Sequence, residues 1–156
     1  MTEQRFTEYL KTTLGVLEIH ADNIGITAIG FVTTLKYTTK GNLHTKQAAI
    51  QLTEYLAGNR THFTLSLNPK GTEFQQQVWT QLLKIPFGQT CSYGSIAQKI
   101  NNPKAVRAVG AANGRNPITI VVPCHRVIGS NGKLTGYAWG TEIKSALLTL
   151  EKNLQP

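Results

Sequence analysis

The hydrophobic pattern changes its period near "NPKGT" (Asn68–Thr72), and that change limits the folds open to the chain. Before it, "YLKTTLGVLEIHAD" and "IGITAIGFV" alternate or run apolar, with the turn residues of "ADNIG" between them, which predicts a β-hairpin or meander. After a polar stretch, Thr38 to Asn42, apolar residues return at helical spacing: Ala49, Leu52 and Leu56 beside Ala48 and Tyr55. They stop at Gly58-Asn59, a usual C-terminal signal. "HFTLSLNPKGT" then reads as a short extended stretch and a Pro-Gly linker.

Beyond the linker the period is helical. "TEFQQQVWTQLLKIP" puts Phe74, Val78 and Leu82 with Trp79 and Leu83 on one face and ends before Pro86. "SYGSIAQKI" follows, with Ser92 as N-cap and Ile96, Ala97 and Ile100 facing inward. In "NNPKAVRAVGAANGRN", Asn102 is placed to cap a third helix, Pro103 fits its first turn and Gly114 ends it. Only a few residues separate the second and third helices, as in a helix-turn-helix, although ordinary helical bundles have equally short connections. The expected architecture is an α/β N-terminal domain, residues 1–70, followed by a mainly helical C-terminal domain, residues 71–156, containing a helix-turn-helix.

Charge divides along the same line. Six basic and five acidic side chains precede Lys70, whereas ten basic and three acidic ones lie from Lys70 onward, so +7 of the net +8 belongs to the second half. Such an asymmetry points to a polyanionic partner, against the plainer reading of a solvated basic face. Lys104 and Arg107 lie on the third helix, with Arg115 just past its end. With 40% hydrophobic and 15% charged residues the chain is not disordered. Its N-terminus lacks the pattern of a signal peptide, and its apolar runs are shorter than the roughly 20 residues of a membrane span. Cys91 and Cys124, 33 positions apart without a CxxC, argue against a disulfide framework and a cysteine-rich zinc site. The simplest reading is a cytoplasmic protein with reduced thiols.

Cys124 ends "ITIVVPC", where Ile118 to Val122 reads as a core strand. Pro123 supplies no amide hydrogen and holds Val122 extended, so the strand must end or lie at an edge there. A free thiol of pKa near 8.5 is only a few per cent thiolate at pH 7; a histidine, cations or a helix N-terminus would raise that fraction. His125 and Arg126 are candidates. Adjacent side chains on an extended backbone point apart, so a bridge through water or the turn fits better than direct Cys124–His125 pairing. Cys124 remains either a nucleophile or a small buried hydrophobe on this evidence.

"PCHRVIGSNGKLTGY" resembles the active-site signature of the O6-alkylguanine-DNA alkyltransferases, also called methylated-DNA–protein-cysteine methyltransferases. "FQQQVW", "SYGSIA", "NPKAVRAVG", "RNPITIVVPCHRV" and "LLTLE" occur in family order from about Thr72 to Lys152. The N-terminal part is similar, more loosely, to a small ribonuclease-H-like α/β domain.

The resemblance implies a self-inactivating DNA repair protein, monomeric and working without metal or cofactor. It would move an alkyl group, chiefly methyl, from O6 of guanine in double-stranded DNA onto its own Cys124, once per molecule; O4-alkylthymine is left open as a second substrate. By the same resemblance His125 and Glu151 take the thiol proton through a water, Glu151 orienting the ring as the carboxylate does in a serine-protease triad. Tyr93 donates to guanine N3 and Asn116 braces the turn around the thiol. The loop Ser130 to Trp139 closes a nucleotide pocket. Val127, Ser130, Tyr137, Ala138, Trp139 and Lys144 are placed around that pocket. Arg107 would fill the stack after the damaged nucleotide is extruded. The small residues Ala105, Ala108 and Gly110, with Lys104 and Arg115, would let the third helix enter the minor groove, although small residues also suit a close helix contact.

Two departures matter. His20, His44 and His62 have no N-terminal cysteine beside them, so the cysteine-histidine zinc site of certain members cannot be rebuilt. Trp139 stands where some members carry glycine, which predicts a pocket narrowed against benzyl-sized groups. Cys91 matches no catalytic position. A non-enzymatic alkyltransferase-like protein would lack the cysteine. A thiol hydrolase would not use the basic helix, and a plain DNA-binding regulator would not use the PCHR turn.

Overall fold

The computed structural model of the chain describes residues 5–134 and 136–154, and these fall into two compact units. One takes in the chain up to Lys70 together with Pro117–Thr119; the other takes in Gly71–Asn116 and the chain from Ile120.

The first unit is a three-stranded antiparallel sheet with one helix. Strands β1 (Phe6–Thr12), β2 (Gly15–Ala21) and β3 (Ile26–Val32) lie in the order β1-β2-β3. The apolar stretch from Tyr9 to Asp22 is thus two strands, paired from Phe6↔Ala21 to Thr12↔Gly15 around Thr13-Leu14. The "ADNIG" turn forms because Asp22 Oδ1 accepts from the amides of Ile24 (2.9 Å) and Gly25 (3.0 Å), the self-capping that favours aspartate in turns. Helix α1 (Leu43–Leu56) packs against β1 and β2 and buries Ala48, Leu52 and Tyr55 against strand residues such as Leu17 and Ile19. Asn42 and Thr45 cap it reciprocally. Its end is a Schellman motif: Gly58, at φ 83°, donates to Tyr55 O (3.0 Å) and Asn59 to Glu54 O (2.8 Å).

The second unit is mainly helical. Helix α2 (Glu73–Leu82) opens on a Thr72–Gln75 capping box and buries Val78, Trp79 and Leu82, while Leu83 is exposed. Strand β4 (Cys91–Ser92) leads into α3 (Tyr93–Lys99), whose N-cap Ser92 accepts from the Ser95 amide. Helix α4 (Val106–Gly114) contacts both α2 and α3, and Trp79 Nε1 donates to Ala112 O at 2.9 Å. A 3₁₀ turn (Cys124–Arg126), strand β5 (Val127–Ile128) and helix α5 (Thr141–Asn153) complete the unit, with β5 parallel to β4. Among the described residues no helix is long and apolar enough to cross a membrane.

Two local expectations are corrected. The third helix of this unit starts at Val106, because residues 102–105 form a turn closed by Ala105 N to Asn102 O (2.9 Å), and no side chain caps it. Ile118 to Val122 is not a strand. Ile118 makes a single bridge to Ile29, held by Ile29 N to Pro117 O (2.8 Å) and Thr119 N to Ile29 O (3.0 Å). Ile120 then takes φ 72°, an unusual value for a β-branched residue, and turns the chain out of the ladder while staying buried.

Candidate active site

The turn carrying Cys124 is tied at both ends. Pro123, at φ −82° and ψ 64°, centres an inverse γ-turn in which Cys124 N donates to Val122 O at 2.8 Å. Asn116 Nδ2 donates to the same carbonyl at 2.8 Å. Downstream, Arg126 N donates to Pro123 O (3.0 Å), and the Val127 amide to Cys124 O. Val127 and Ile128 then pair with Cys91 and Ser92. Proline at the turn and a β-branched pair after it dictate this local course. Cys124 is 5% exposed, at the lip of the core rather than on open surface.

Behind it lies a buried charge cluster. His125 Nε2 is 2.7 Å from Glu151 Oε2, and both side chains are buried. A carboxylate only accepts, so Nε2 carries the hydrogen and Nδ1 of the neutral ring is an acceptor. That Nδ1 is buried with no hydrogen-bond partner among the described residues. Glu151 is further held by Arg126, whose Nε reaches Oε1 at 2.8 Å and whose terminal nitrogen reaches Oε2 at 3.0 Å, and by the Gly88 amide at 3.2 Å. Arg126 spends its other terminal nitrogen on Ile85 O (2.7 Å) and lies 5.7 Å from the centre of the Phe87 ring. A buried ion pair persists only with its remaining lone pairs and protons satisfied, and the bidentate fork does that here. Burial pushes the His125 pKa below its ordinary value; Glu151 pulls it back up, and the charges of Arg126 and Lys144 push it down. The ring is therefore an uncharged base at neutral pH.

Lys144 is fully buried on α5 and donates to Val127 O at 2.6 Å. Burial lowers its pKa, and the charge of a Cys124 thiolate works against that lowering, so the ammonium and the sulfur feel each other. Cys91 is the contrast: burial pushes its thiol up, with only Lys99 acting the other way. A thiol so shifted is a poor nucleophile at neutral pH.

Cys124, His125, Glu151, Asn116, Lys144 and Val127 are thus linked around one turn. Tyr93, half-buried at the start of α3, approaches Gly136: a Cβ on Gly136 would lie 2.9 Å from its hydroxyl, and Gly136 takes φ 71°, so glycine is needed there twice over. Tyr137 is buried, whereas Ser130, Ala138 and Trp139 stand at the surface. Position 135 of the expected pocket loop lies outside the described residues. Lys104, Arg107, Ala108 and Arg115 are exposed, and Ala105 and Gly110 are half-buried. Gly110 lies against the Tyr93 ring, 3.9 Å from where its Cβ would be.

Two residues escape a reading of the sequence. Arg126 is recognisable there only as a nearby cation, yet its fork is what holds Glu151. Asn113 is buried on α4 with Val109 and Ala112, and its Nδ2 faces Cys124 O at 3.4 Å. A polar side chain on an apolar helical stripe is the one signal that could have found it.

Comparisons with known proteins place both halves. The family model described as 6-O-methylguanine DNA methyltransferase, DNA binding domain, matches residues 73–153, and that of the ribonuclease-like domain matches residues 6–69. A methylated-DNA–protein-cysteine methyltransferase of Methanosarcina acetivorans is 60% identical over 106 residues, 68% of each chain. The crystal structure of the Mycobacterium tuberculosis O6-methylguanine methyltransferase superposes with TM-score 0.89 at 43% identity, covering 98% of this chain and 96% of that one. A Mycobacterium tuberculosis OGT structure in complex with DNA superposes with TM-score 0.88 at 45% identity, covering 97% and 95%. With one family model spanning residues 73–153 and a second spanning 6–69, the chain belongs to the 6-O-methylguanine DNA methyltransferase family.

Proposed function

We propose that the protein repairs double-stranded DNA by transferring an alkyl group, chiefly methyl, from O6 of guanine to Cys124, in a single self-inactivating reaction. The observation that carries this reading is the buried His125–Glu151 pair beside Cys124. Its Nε2–H is committed to the carboxylate, and its Nδ1 is an acceptor without a partner. In the reaction the sulfur attacks the alkyl carbon in line, an S–C bond forms and the C–O6 bond breaks, its electron pair leaving with the purine. The thiol proton passes through a water to His125 Nδ1, and Glu151, clamped by Arg126, stabilises the imidazolium that results. The Tyr93 hydroxyl donates to guanine N3, where the charge of the departing purine collects. The thioether has no good leaving group, so the protein acts once. No cofactor or metal enters these steps.

Reaching Cys124 requires the nucleotide to leave the duplex, at a cost of a few kcal/mol. We assign α3 and α4 to a helix-turn-helix whose second helix lies in the minor groove. Arg107 fills the stack, Ala105, Ala108 and Gly110 allow close approach, and Lys104 and Arg115 meet phosphates. Val127, Ser130, Tyr137, Ala138, Trp139 and Lys144 line the pocket for the extruded base. The domain boundary falls near Lys70, and the protein works as a monomer in the cytoplasm, where a reducing environment keeps Cys124 a thiol. The test is to incubate the protein with a duplex bearing one O6-methylguanine, then measure intact mass and map the modified peptide. One methyl on Cys124, and none in Cys124→Ala, is expected; equal uptake by Cys124→Ala overturns the reading.

A further inference from the structure

Among the described residues only two buried side-chain polar atoms lack a hydrogen-bond partner, His125 Nδ1 and Asn113 Oδ1, and both belong to residues that meet Cys124. His125 follows it in the chain, and Asn113 reaches its carbonyl through Nδ2 at 3.4 Å. A carbonyl accepts only, so the amide nitrogen must face it and Oδ1 must face elsewhere in the buried space. Buried polar atoms are satisfied in nearly all native proteins, and a buried water does this where two to four polar groups converge. The hydrogen-bond count matches one water: it offers two hydrogens to two acceptors, and its oxygen takes the third bond, from the thiol.

We propose that Asn113 is a positioning residue for alkyl transfer, holding the Cys124 carbonyl through Nδ2 and anchoring the relay water through Oδ1. This rests on the transfer reading above and adds to it an assignment for a side chain of α4. As the thiol proton moves to the water and a water proton moves to His125 Nδ1, the water's other hydrogen stays on Asn113 Oδ1, so no proton is gained or lost at the amide. The water therefore keeps one orientation through the transfer. Asn113 differs from Arg107, Lys104 and Arg115 on or beside the same helix: it is 1% exposed and cannot touch DNA without unfolding α4.

The test compares wild type with Asn113→Leu, which removes both amide functions, and Asn113→Ser, a smaller polar replacement that keeps the protein folded where leucine does not. Three quantities are measured: the transfer rate from free O6-methylguanine, the affinity for undamaged duplex, and the pH midpoint of Cys124 alkylation by iodoacetamide. The expected result is a fall of about tenfold or more in the free-base rate, a part of the roughly 10²–10⁴-fold that general acid–base catalysis supplies, and a midpoint moved to higher pH, with duplex affinity unchanged. An unchanged free-base rate and midpoint in the folded variants overturns the inference, as does a loss confined to DNA substrates. If wild type itself takes up no alkyl group, the transfer reading fails first and the inference falls with it.

Discussion

Replacing Glu151 by glutamine should damage stability and chemistry separately, and the two losses can be told apart. The carboxylate accepts from His125, twice from Arg126 and once from Gly88, and is 1% exposed. Glutamine has the same shape but one acceptor oxygen and one NH2 group, which must then face either the guanidinium or the imidazole. Leaving the buried Arg126 cation unpaired costs about 3–5 kcal/mol. For a chain of this size each kcal/mol moves Tm by about 2–4 °C, so Tm should fall by roughly 6–20 °C. If the NH2 faces His125, the ring must switch its hydrogen to Nδ1, which removes the acceptor the thiol proton needs. The transfer rate should then fall by about 10²–10⁴. Adding Arg126→Met to Glu151→Gln removes the stranded cation, at the expense of the donor to Ile85 O, and should restore about half of the lost Tm without restoring the rate. The assay is thermal unfolding by circular dichroism beside single-turnover transfer to a methylated duplex. A Glu151→Gln protein within about 2 °C of wild type, or a double variant that regains transfer, would refute the account of the cluster.

Three further outcomes are expected. Because burial holds the folded His125 pKa below its unfolded value of about 6.5, the unfolded chain binds a proton first as pH falls. Its contribution to stability is complete above about pH 6.5 and is lost on descent toward the folded value, so Tm between pH 8 and 5 should fall more steeply in wild type than in His125→Asn. Trp139→Gly should speed transfer from free O6-benzylguanine by opening the pocket rim, where the indole is 37% exposed; no gain would remove Trp139 from the pocket. DNA affinity should depend on salt: with about 4 phosphates neutralised, log K should fall with log salt at a slope of roughly −3.6, and a slope near zero would contradict the phosphate assignments of Lys104 and Arg115.

What could be read from the sequence follows physical range. Signals that act within a few residues were legible: the Asp22 turn, the Gly58 stop, the Ser92 cap and the buried stripe of α2 each rest on neighbours in the chain. The run Ile118 to Val122 misled because an apolar pentapeptide looks alike as a strand and as a buried turn. Its form is decided by Ile29, which offers one bridge and no ladder, and by Ile120, which turns away. The start of α4 misled for a related reason, since Asn102-Pro103 favours a helix start and a tight turn equally. In the candidate site, Cys124 and His125 were visible as a chemical possibility, and Glu151 only through resemblance to a family. Arg126 on Glu151 and Asn113 on Cys124 are contacts across 25 and 11 residues, set by how α4 and α5 meet the turn.

The central claim is that Cys124 accepts one alkyl group and is consumed. Titrating the protein with an excess of duplex carrying a single O6-methylguanine, while counting restored guanine and protein mass together, tests it most directly. The account predicts that guanine restored plateaus at the amount of active protein, with every reacted molecule carrying one methyl on Cys124. Restoration that continues past that amount, or a plateau with Cys124 unmodified, would contradict it.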